Sequence, residues 1–310
     1  MQNKEGAAAN MKVDNAVIMA AGLSSRFAPL SAERPKGLVE VRGEVLIERQ
    51  IRQLLEAGVP KVYIVTGYKS EAFAYLRGKF SVELIFNPDY LTRNNNASIR
   101  CAQEILRNSY LCSSDNYFLE NPFETQVDET YYAAEYAAGE TGEWCLTEDG
   151  EGYINSVTVG GRDSWYMMGH TFWSESFSRK FLEILDEEYD RPETAGKLWE
   201  TIYMEHLDVL KMRIRKYNGV IFEFDTLEEL RQFDGSYIED TRSAILKKIA
   251  RQLGIRESEI TNVRTLPSQT AESQGFSFNC PAGQGRYLYA NGDPEIIQAT
   301  PHNSGARIAK

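Results

Sequence analysis

The sequence predicts an α/β protein built on a mostly parallel sheet with helices on both faces, and three observations carry that prediction. Short apolar runs alternate with amphipathic segments from residue 15 to residue 115. Parallel strands need crossover connections, and such alternation supplies them. From about residue 129 the pattern changes to longer half-apolar segments broken by turn residues, which reads as a smaller antiparallel substrate-side subdomain. The chain has 310 residues, 42% hydrophobic and 25% charged, enough for one large domain or two small ones.

Taken in order, NAVIMAA (15–21) is an apolar run of buried-strand type, and a loop follows through Gly22 to about Val41. In LIERQIRQLLEAGV, the residues Leu46, Ile47, Ile51, Leu54 and Leu55 recur at helical spacing, and Gly58 is a stop signal. KVYIVTG reads as a strand, SEAFAYLRGKF as a helix, VELIF as a strand, NASIRCAQEILRN as a helix and SYLCSSD as a strand. The expected arrangement is Rossmann-like, with ligands beyond the carboxyl ends of the strands. YYAAEYA, EWCLTED, GYINSVTVG and SWYMMGHTFW read as antiparallel strands, with Asp149-Gly150 as a turn. Helices are expected near 176–189 and 195–206, strands within 207–225, and a helix over TLEELRQF.

Residues 237–253 read as one amphipathic helix, with Ile238, Ile245, Ile249 and Leu253 on one side. Beyond 265 the chain turns rich in Gly, Pro, Ser, Asn and Gln, a composition that offers little apolar surface. The divisions expected are a flexible N-terminus (1–11), a principal domain (12–235), a helical appendage (236–264) and an irregular tail (265–310). Deleting 266–310 is expected to leave the fold intact.

Composition excludes several classes. The formal net charge of −11 argues against nucleic-acid binding. No apolar run is long enough to span a membrane, and the N-terminus lacks the apolar stretch of a secretory signal. The four cysteines form no CxxC pair and read as free thiols of a cytoplasmic protein. Three histidines make a His-rich metal site unexpected. Oligomeric state is not legible.

The strongest chemical signal is AAGLSSRFAPLSAERPKGL, residues 20–38, directly after the first strand. The small residues Ala20, Ala21, Gly22, Leu23 and Ser24 let backbone N–H groups approach a triphosphate, and Arg26 and Lys36 add positive charge. The string is neither a Walker A loop nor a dinucleotide fingerprint, because GK[ST] and GxGxxG are absent. Asp115 ends a strand where sheet ligands sit, as a turn residue or as a carboxylate for a hard cation. Asp225 follows the run GVIFEF; it is either a ligand or, with Glu228, a capping box. Glu223 shares its side of the strand by alternation and is the weaker candidate. Asn94, Asn95 and Asn96 are a polar turn or a set of amides that reads a base edge.

The string resembles the signature of the sugar-nucleotidyltransferase superfamily: a small-residue loop, then Arg, then Pro-Lys. NPDYLTRNNNAS (87–98), SSDNYF (113–118), GEWCL (142–146), HTFWS (170–174) and FEFDTLEEL (222–230) resemble, in order and spacing, the bacterial CTP:phosphocholine cytidylyltransferases. The similarity spans roughly residues 13–235.

The resemblance implies a nucleotidyltransferase domain that uses Mg²⁺, CTP and a small phosphorylated amine alcohol. Lys36 and Arg26 become catalytic, Asp115 and Asp225 metal ligands, and Asn94, Asn95 and Ser98 join the loop in binding nucleotide. Trp144, Trp173 and Tyr117 are expected near the amine, although aromatics in strands are also core formers. Phosphoethanolamine, an aminophosphonate or a sugar 1-phosphate are the alternative acceptors, and a non-catalytic nucleotide-binding module is the alternative of another class. Residues 238–280 faintly resemble the junction where a choline-kinase-like domain follows in fused proteins, but no kinase catalytic motif is present.

Overall fold

The computed structural model describes residues 10–268 and 272–297. The expected flexible N-terminus therefore lies almost wholly outside the described residues. Its Met11 opens a two-residue strand, Met11–Lys12, paired antiparallel with Gln126–Val127. The chain divides into two compact units, one of residues 1–23 and 34–224, the other of residues 24–33 and 225–310.

The first unit is organised by a seven-stranded sheet. Its elements in chain order are β1 (Asn15–Ala20), α1 (Leu46–Glu56), β2 (Val62–Thr66), α2 (Tyr75–Phe80), β3 (Glu83–Phe86), α3 (Asn96–Cys101), β4 (Ser109–Ser113), β5 (Tyr117–Phe118), β6 (Tyr131–Glu148), β7 (Ile154–Trp173), α4 (Glu175–Glu188), α5 (Trp199–Glu205), β8 (Arg213–Lys216) and β9 (Ile221–Phe222). The strand order is β8-β6-β7-β4-β1-β2-β3, with β5 and β9 paired apart from it. β1 runs parallel to both β2 and β4, and β3 is parallel to β2. The carboxyl ends of β1, β2 and β4, at Ala20, Thr66 and Ser113, therefore share one edge.

Alternation along β1 explains the two cores. Ala16 and Ile18 join Ile47, Ile51, Leu54, Val62 and Ile64 on one face. Val17 joins Tyr63, Val65, Ile99, Leu111, Trp173 and Trp199 on the other. A parallel strand buried on both faces reads as a continuous apolar run, as NAVIMA does. Leu55, placed with the apolar side of the helix by its spacing, is 39% exposed.

The antiparallel segment is made of two long strands rather than four short ones. Near their base β7 pairs with β4 and β6 with β8, so both continue the central sheet. Farther out they pair only with each other, and Asp149 closes the turn by accepting the N–H of Glu151 and Tyr153 on its Oδ1.

The second unit departs from the sequence reading. α6 (Leu227–Phe233) and α7 (Ala244–Leu253) are followed by β10 (Thr261–Thr265), β11 (Gly275–Cys280), β12 (Gly283–Leu288) and β13 (Pro294–Ile297), an antiparallel sheet in that order. The expected helix over 237–253 starts only at Ala244, because the Ser243 hydroxyl caps it by accepting from the Leu246 N–H. The stretch expected to be an irregular tail is thus largely sheet in its described part. Phe276, Phe278 and Tyr287 are buried, as are Leu246, Ile249, Ile260 and Val263 of the same unit, and Phe276 stacks on Tyr287 at 5.4 Å. The apolar residues are few but alternate with polar ones along short strands, which suffices to close a small core.

Phe276→Ala is expected to cost about 3–5 kcal/mol through the cavity it leaves. A chain ended at residue 265 is expected to lose the folded second unit, seen as rapid proteolysis of residues 225–265. A truncated chain as protease-resistant as the full one would return these strands to the status of a tail.

Candidate active site

The signature string is divided between the units: Ala20–Leu23 and Arg34 onward lie in the first, Ser24–Glu33 in the second. Within the first unit, Ala20 ends β1, and Ala21 accepts the Tyr68 N–H through its carbonyl. Nothing lies within 4 Å of where a Cβ on Gly22 would stand. Packing therefore does not require glycine there, whereas a ligand approaching the backbone would.

Lys36 is the most constrained charge in this region. It is only 4% exposed, and its Nζ donates to Asp115 Oδ2 at 2.8 Å and lies 3.7 Å from Glu223 Oε1. Gly37 permits this, since a Cβ there would stand 3.0 Å from Ser114 Cβ and Oγ. Burial pushes the Asp115 carboxyl up, but the Lys36 ammonium and the Ser113 hydroxyl outweigh it and hold the carboxyl below its ordinary range. Ser113 Oγ donates to Asp115 Oδ1 at 2.5 Å, and Asn116 Nδ2 donates to Glu223 Oε2 at 3.2 Å. Glu223 reaches this place because β9 is tied down. The buried Glu135 carboxylate accepts the N–H groups of Gly219, Val220 and Ile221 at 2.7, 2.9 and 2.8 Å. Three donors satisfy its charge without a cation.

Asp115 and Glu223 thus present carboxylate oxygens around one ammonium. Among the described residues no group of three or more His, Cys, Asp or Glu is arranged to hold a metal ion. Two carboxylate side chains would supply hard oxygen ligands of the kind Mg²⁺ takes.

In the second unit, Arg26 is largely exposed and pairs with Asp225 at 2.9 Å. The capping box expected from Asp225 and Glu228 is shifted by one residue. Thr226 is the N-cap and Glu229 its partner, while the Asp225 N–H donates to Glu229 Oε2 at 2.7 Å. A residue whose own hydroxyl can reach the third helical N–H takes the cap, which leaves the Asp225 carboxylate to Arg26.

A cleft of about 190 Å³ opens in the first unit, lined by Ser113, Tyr132, Met167, Trp199, Glu200 and Glu223 among others. Tyr132 and Trp199 stack with centroids 5.8 Å apart and planes at 15°. Burial raises the half-buried Glu200 carboxyl to about 7, against the lowering effect of hydrogen bonds from Asn95 and Tyr132.

Trp173, expected in a substrate pocket, is fully buried against Phe181, Phe177 and Trp199, so it is core. Trp144 is half-buried on the long hairpin opposite Val159 and is not among the residues that line the cleft. Tyr117 is buried with the Arg49 guanidinium 4.6 Å from its ring centroid, so that face is already occupied. Ser98 is buried in α3 and accepts from Asn87 Nδ2 at 3.3 Å. The side-chain amides of Asn94, Asn95 and Asn96 all reach the segment 194–200. Trp199 and Glu200 carried no signal of their own, since a tryptophan at the start of an amphipathic helix reads as core.

Residues 16–124 match the family model of the MobA-like NTP transferase domain. The choline-phosphate cytidylyltransferase of Streptococcus pneumoniae is 31% identical over 220 residues, 71% of this chain and 96% of that protein. The chain belongs to the family of bacterial cytidylyltransferases. The 2-aminoethylphosphonate cytidylyltransferase of Lancefieldella rimae is 32% identical over 239 residues, 76% of this chain and 97% of that one. The solved structure of the pneumococcal CTP:phosphocholine cytidylyltransferase superposes with a TM-score of 0.69 at 31% identity, covering 73% of this chain and 99% of that one. The inositol-1-phosphate CTP transferase from T. maritima, at 13% identity and a TM-score of 0.56, shares the fold. This cytidylyltransferase is accordingly an enzyme that joins a nucleotide to a phosphorylated substrate. Among its described residues no helix is long and apolar enough to cross a membrane.

Gly22→Ala is expected to leave the Tm within about 2 °C, because the site is open, and to raise KM for the nucleotide about tenfold or more. An unchanged KM would mean that no ligand approaches this backbone.

Proposed function

We propose that this cytidylyltransferase transfers CMP from CTP to phosphocholine, releasing pyrophosphate and forming CDP-choline. The observation that carries the choline assignment is a cleft whose lining combines the stacked Tyr132–Trp199 pair with the carboxylates of Glu200 and Glu223. A trimethylammonium group donates no conventional hydrogen bond and is held by aromatic faces at about 0.5–2 kcal/mol per ring. Met167 and Met168 add polarizable, apolar lining. Glu200 supplies the counter-charge.

The lining also includes Ser113 and Glu223, which touch Asp115 and Lys36 respectively. An acceptor lying along the cleft would therefore hold its cation at Trp199 and its phosphate toward the Lys36 cluster. A phosphate oxygen of the acceptor attacks the α-phosphorus of CTP. A P–O bond forms, the bond from α-phosphorus to the α–β bridging oxygen breaks, and pyrophosphate leaves with that electron pair. Positioning and charge neutralisation are the protein's contribution. The Lys36 ammonium would stabilise charge on the reacting phosphates, and the open backbone at Ala20–Leu23 would hold the triphosphate. Asp115 and Glu223 would hold Mg²⁺, which when bound neutralises phosphate charge.

A second reading is favoured by the same carboxylate. A primary ammonium needs hydrogen-bond acceptors, and Glu200 with Glu223 in one cleft could serve 2-aminoethylphosphonate. Each Glu200 oxygen already accepts one hydrogen bond, from Asn95 at 3.0 Å and Tyr132 at 3.5 Å, and two rings and the methionines Met167 and Met168 line the same cleft, so the quaternary cation is preferred.

Glu200→Gln tests the reading. It is expected to raise KM for phosphocholine about tenfold, the value of about 1.4 kcal/mol of lost attraction, with KM for CTP within threefold. The pH dependence follows from the same carboxyl. Below about 7 it is protonated and neutral, and above about 7 it is ionised and attracts the fixed cation. The phosphocholine KM should therefore fall between pH 6 and pH 8 in the wild type. Glu200→Gln should flatten the part of this dependence not shared with an uncharged alkyl phosphate. Equal effects on both substrates, or none, would overturn the assignment.

A further inference from the structure

Three consecutive asparagines point at a segment a hundred residues away. Asn94 Nδ2 donates to the Gly196 carbonyl at 3.2 Å, and its N–H donates to the Ala195 carbonyl at 2.8 Å. Asn96 is fully buried and donates to the carbonyls of Thr194, at 2.9 Å, and Lys197. Asn95 is engaged at both ends. Its Oδ1 accepts the Trp199 N–H at 2.7 Å and its Nδ2 donates to Glu200 Oε2 at 3.0 Å.

The consequence is local and chemical. Trp199 begins α5, so its N–H is one of the four at a helix start with no partner inside the helix, and Asn95 supplies one from another element. The same amide fixes one oxygen of the carboxylate on the next residue. One side chain thereby fixes the backbone of Trp199 and the carboxylate of Glu200, two residues that line the cleft. An isosteric replacement can keep one of these bonds but not both, because only a carboxamide offers an acceptor and a donor on adjacent atoms.

We propose that Asn95 is a positioning residue that determines acceptor specificity, holding Trp199 and Glu200 in the geometry that receives a cation, and that it does not read the nucleotide base. This rests on the acceptor reading given above. Asn94 and Asn96 anchor the preceding turn, so the asparagine run works as a clasp on 194–200.

The test compares Asn95→Ala, Asn95→Asp and Asn94→Ala in the full chain. Asn95→Ala is expected to raise KM for phosphocholine at least tenfold and to reduce the preference for phosphocholine over an uncharged alkyl phosphate of equal length. kcat and the equilibrium Kd for CTP without acceptor should stay within threefold. Asn95→Asp keeps the acceptor for the Trp199 N–H but sets a second carboxylate against Glu200. It should also raise the phosphocholine KM, and it serves as the measurement if Asn95→Ala does not fold. Asn94→Ala, which loses two exposed hydrogen bonds, one to the Gly196 carbonyl and one from the Asn95 N–H, should leave the KM within threefold. A Kd for CTP that rises as much as the acceptor KM in either Asn95 variant would overturn the proposal and return Asn95 to the nucleotide. Unchanged kinetics in both would overturn it as well. Failure of the acceptor reading itself looks different: the wild type would then show no preference for the cationic acceptor, whatever Asn95 does.

Discussion

An ammonium group inside a protein is costly unless charge and hydrogen bonds surround it, and the first unit is arranged around one such group. Lys36, 4% exposed, sits on Asp115 with Glu223 beside it. Each partner arrives from a different direction. Asp115 follows β4, Glu223 follows β9, and Lys36 sits on a turn pressed against Ser114 by the absence of a side chain on Gly37. Removing either carboxylate would leave a buried charge short of a partner. Substrate phosphates entering this place would meet a cation already positioned and already desolvated, which is the condition under which electrostatic stabilisation is strongest.

The supporting parts follow from that constraint. β9 is only two residues long and has little pairing to hold it. Glu135 compensates by gathering three N–H groups just before Glu223, so a carboxylate on a sheet strand fixes a loop through its backbone. Gln50 on α1 donates to the Ser113 carbonyl at 3.0 Å, tying a helix to the end of the strand that leads to Asp115. Together these bonds make the strand ends a rigid platform, while the adjoining loop at Gly22 keeps open space.

Much of this was legible in the sequence. The run NAVIMA, with no polar residue after its first, could only be a strand covered on both faces, and the loop after it had to be the phosphate-facing one. Lys36 and Asp115 were readable separately as charges suited to phosphate and metal, but not as each other's partner. What could not be read was partnership at long range. The asparagines at 94–96 looked like base readers because their donors and acceptors are evident, yet their partners lie about a hundred residues on. Trp173 and Trp199 are both buried in one core with centroids 5.1 Å apart, and only the tertiary contacts show that Trp199 also borders the cleft. Thr226 took the cap from Asp225 through a one-residue phase that composition does not encode. The second unit's sheet was missed because its strands are short and its apolar residues are too sparse to show a period.

In the proposed reaction, phosphate chemistry at Lys36 and cation recognition at Tyr132, Trp199 and Glu200 would meet along the cleft. The most direct measurement is the rate of pyrophosphate release by the wild-type enzyme with CTP and, in turn, phosphocholine, 2-aminoethylphosphonate, an uncharged alkyl phosphate and glucose 1-phosphate. Two rings and a carboxylate around a cation are expected to give phosphocholine a kcat/KM about 30-fold or more above that of the uncharged alkyl phosphate, the equivalent of about 2 kcal/mol. A sugar phosphate or the uncharged phosphate turned over as well as phosphocholine would contradict the account.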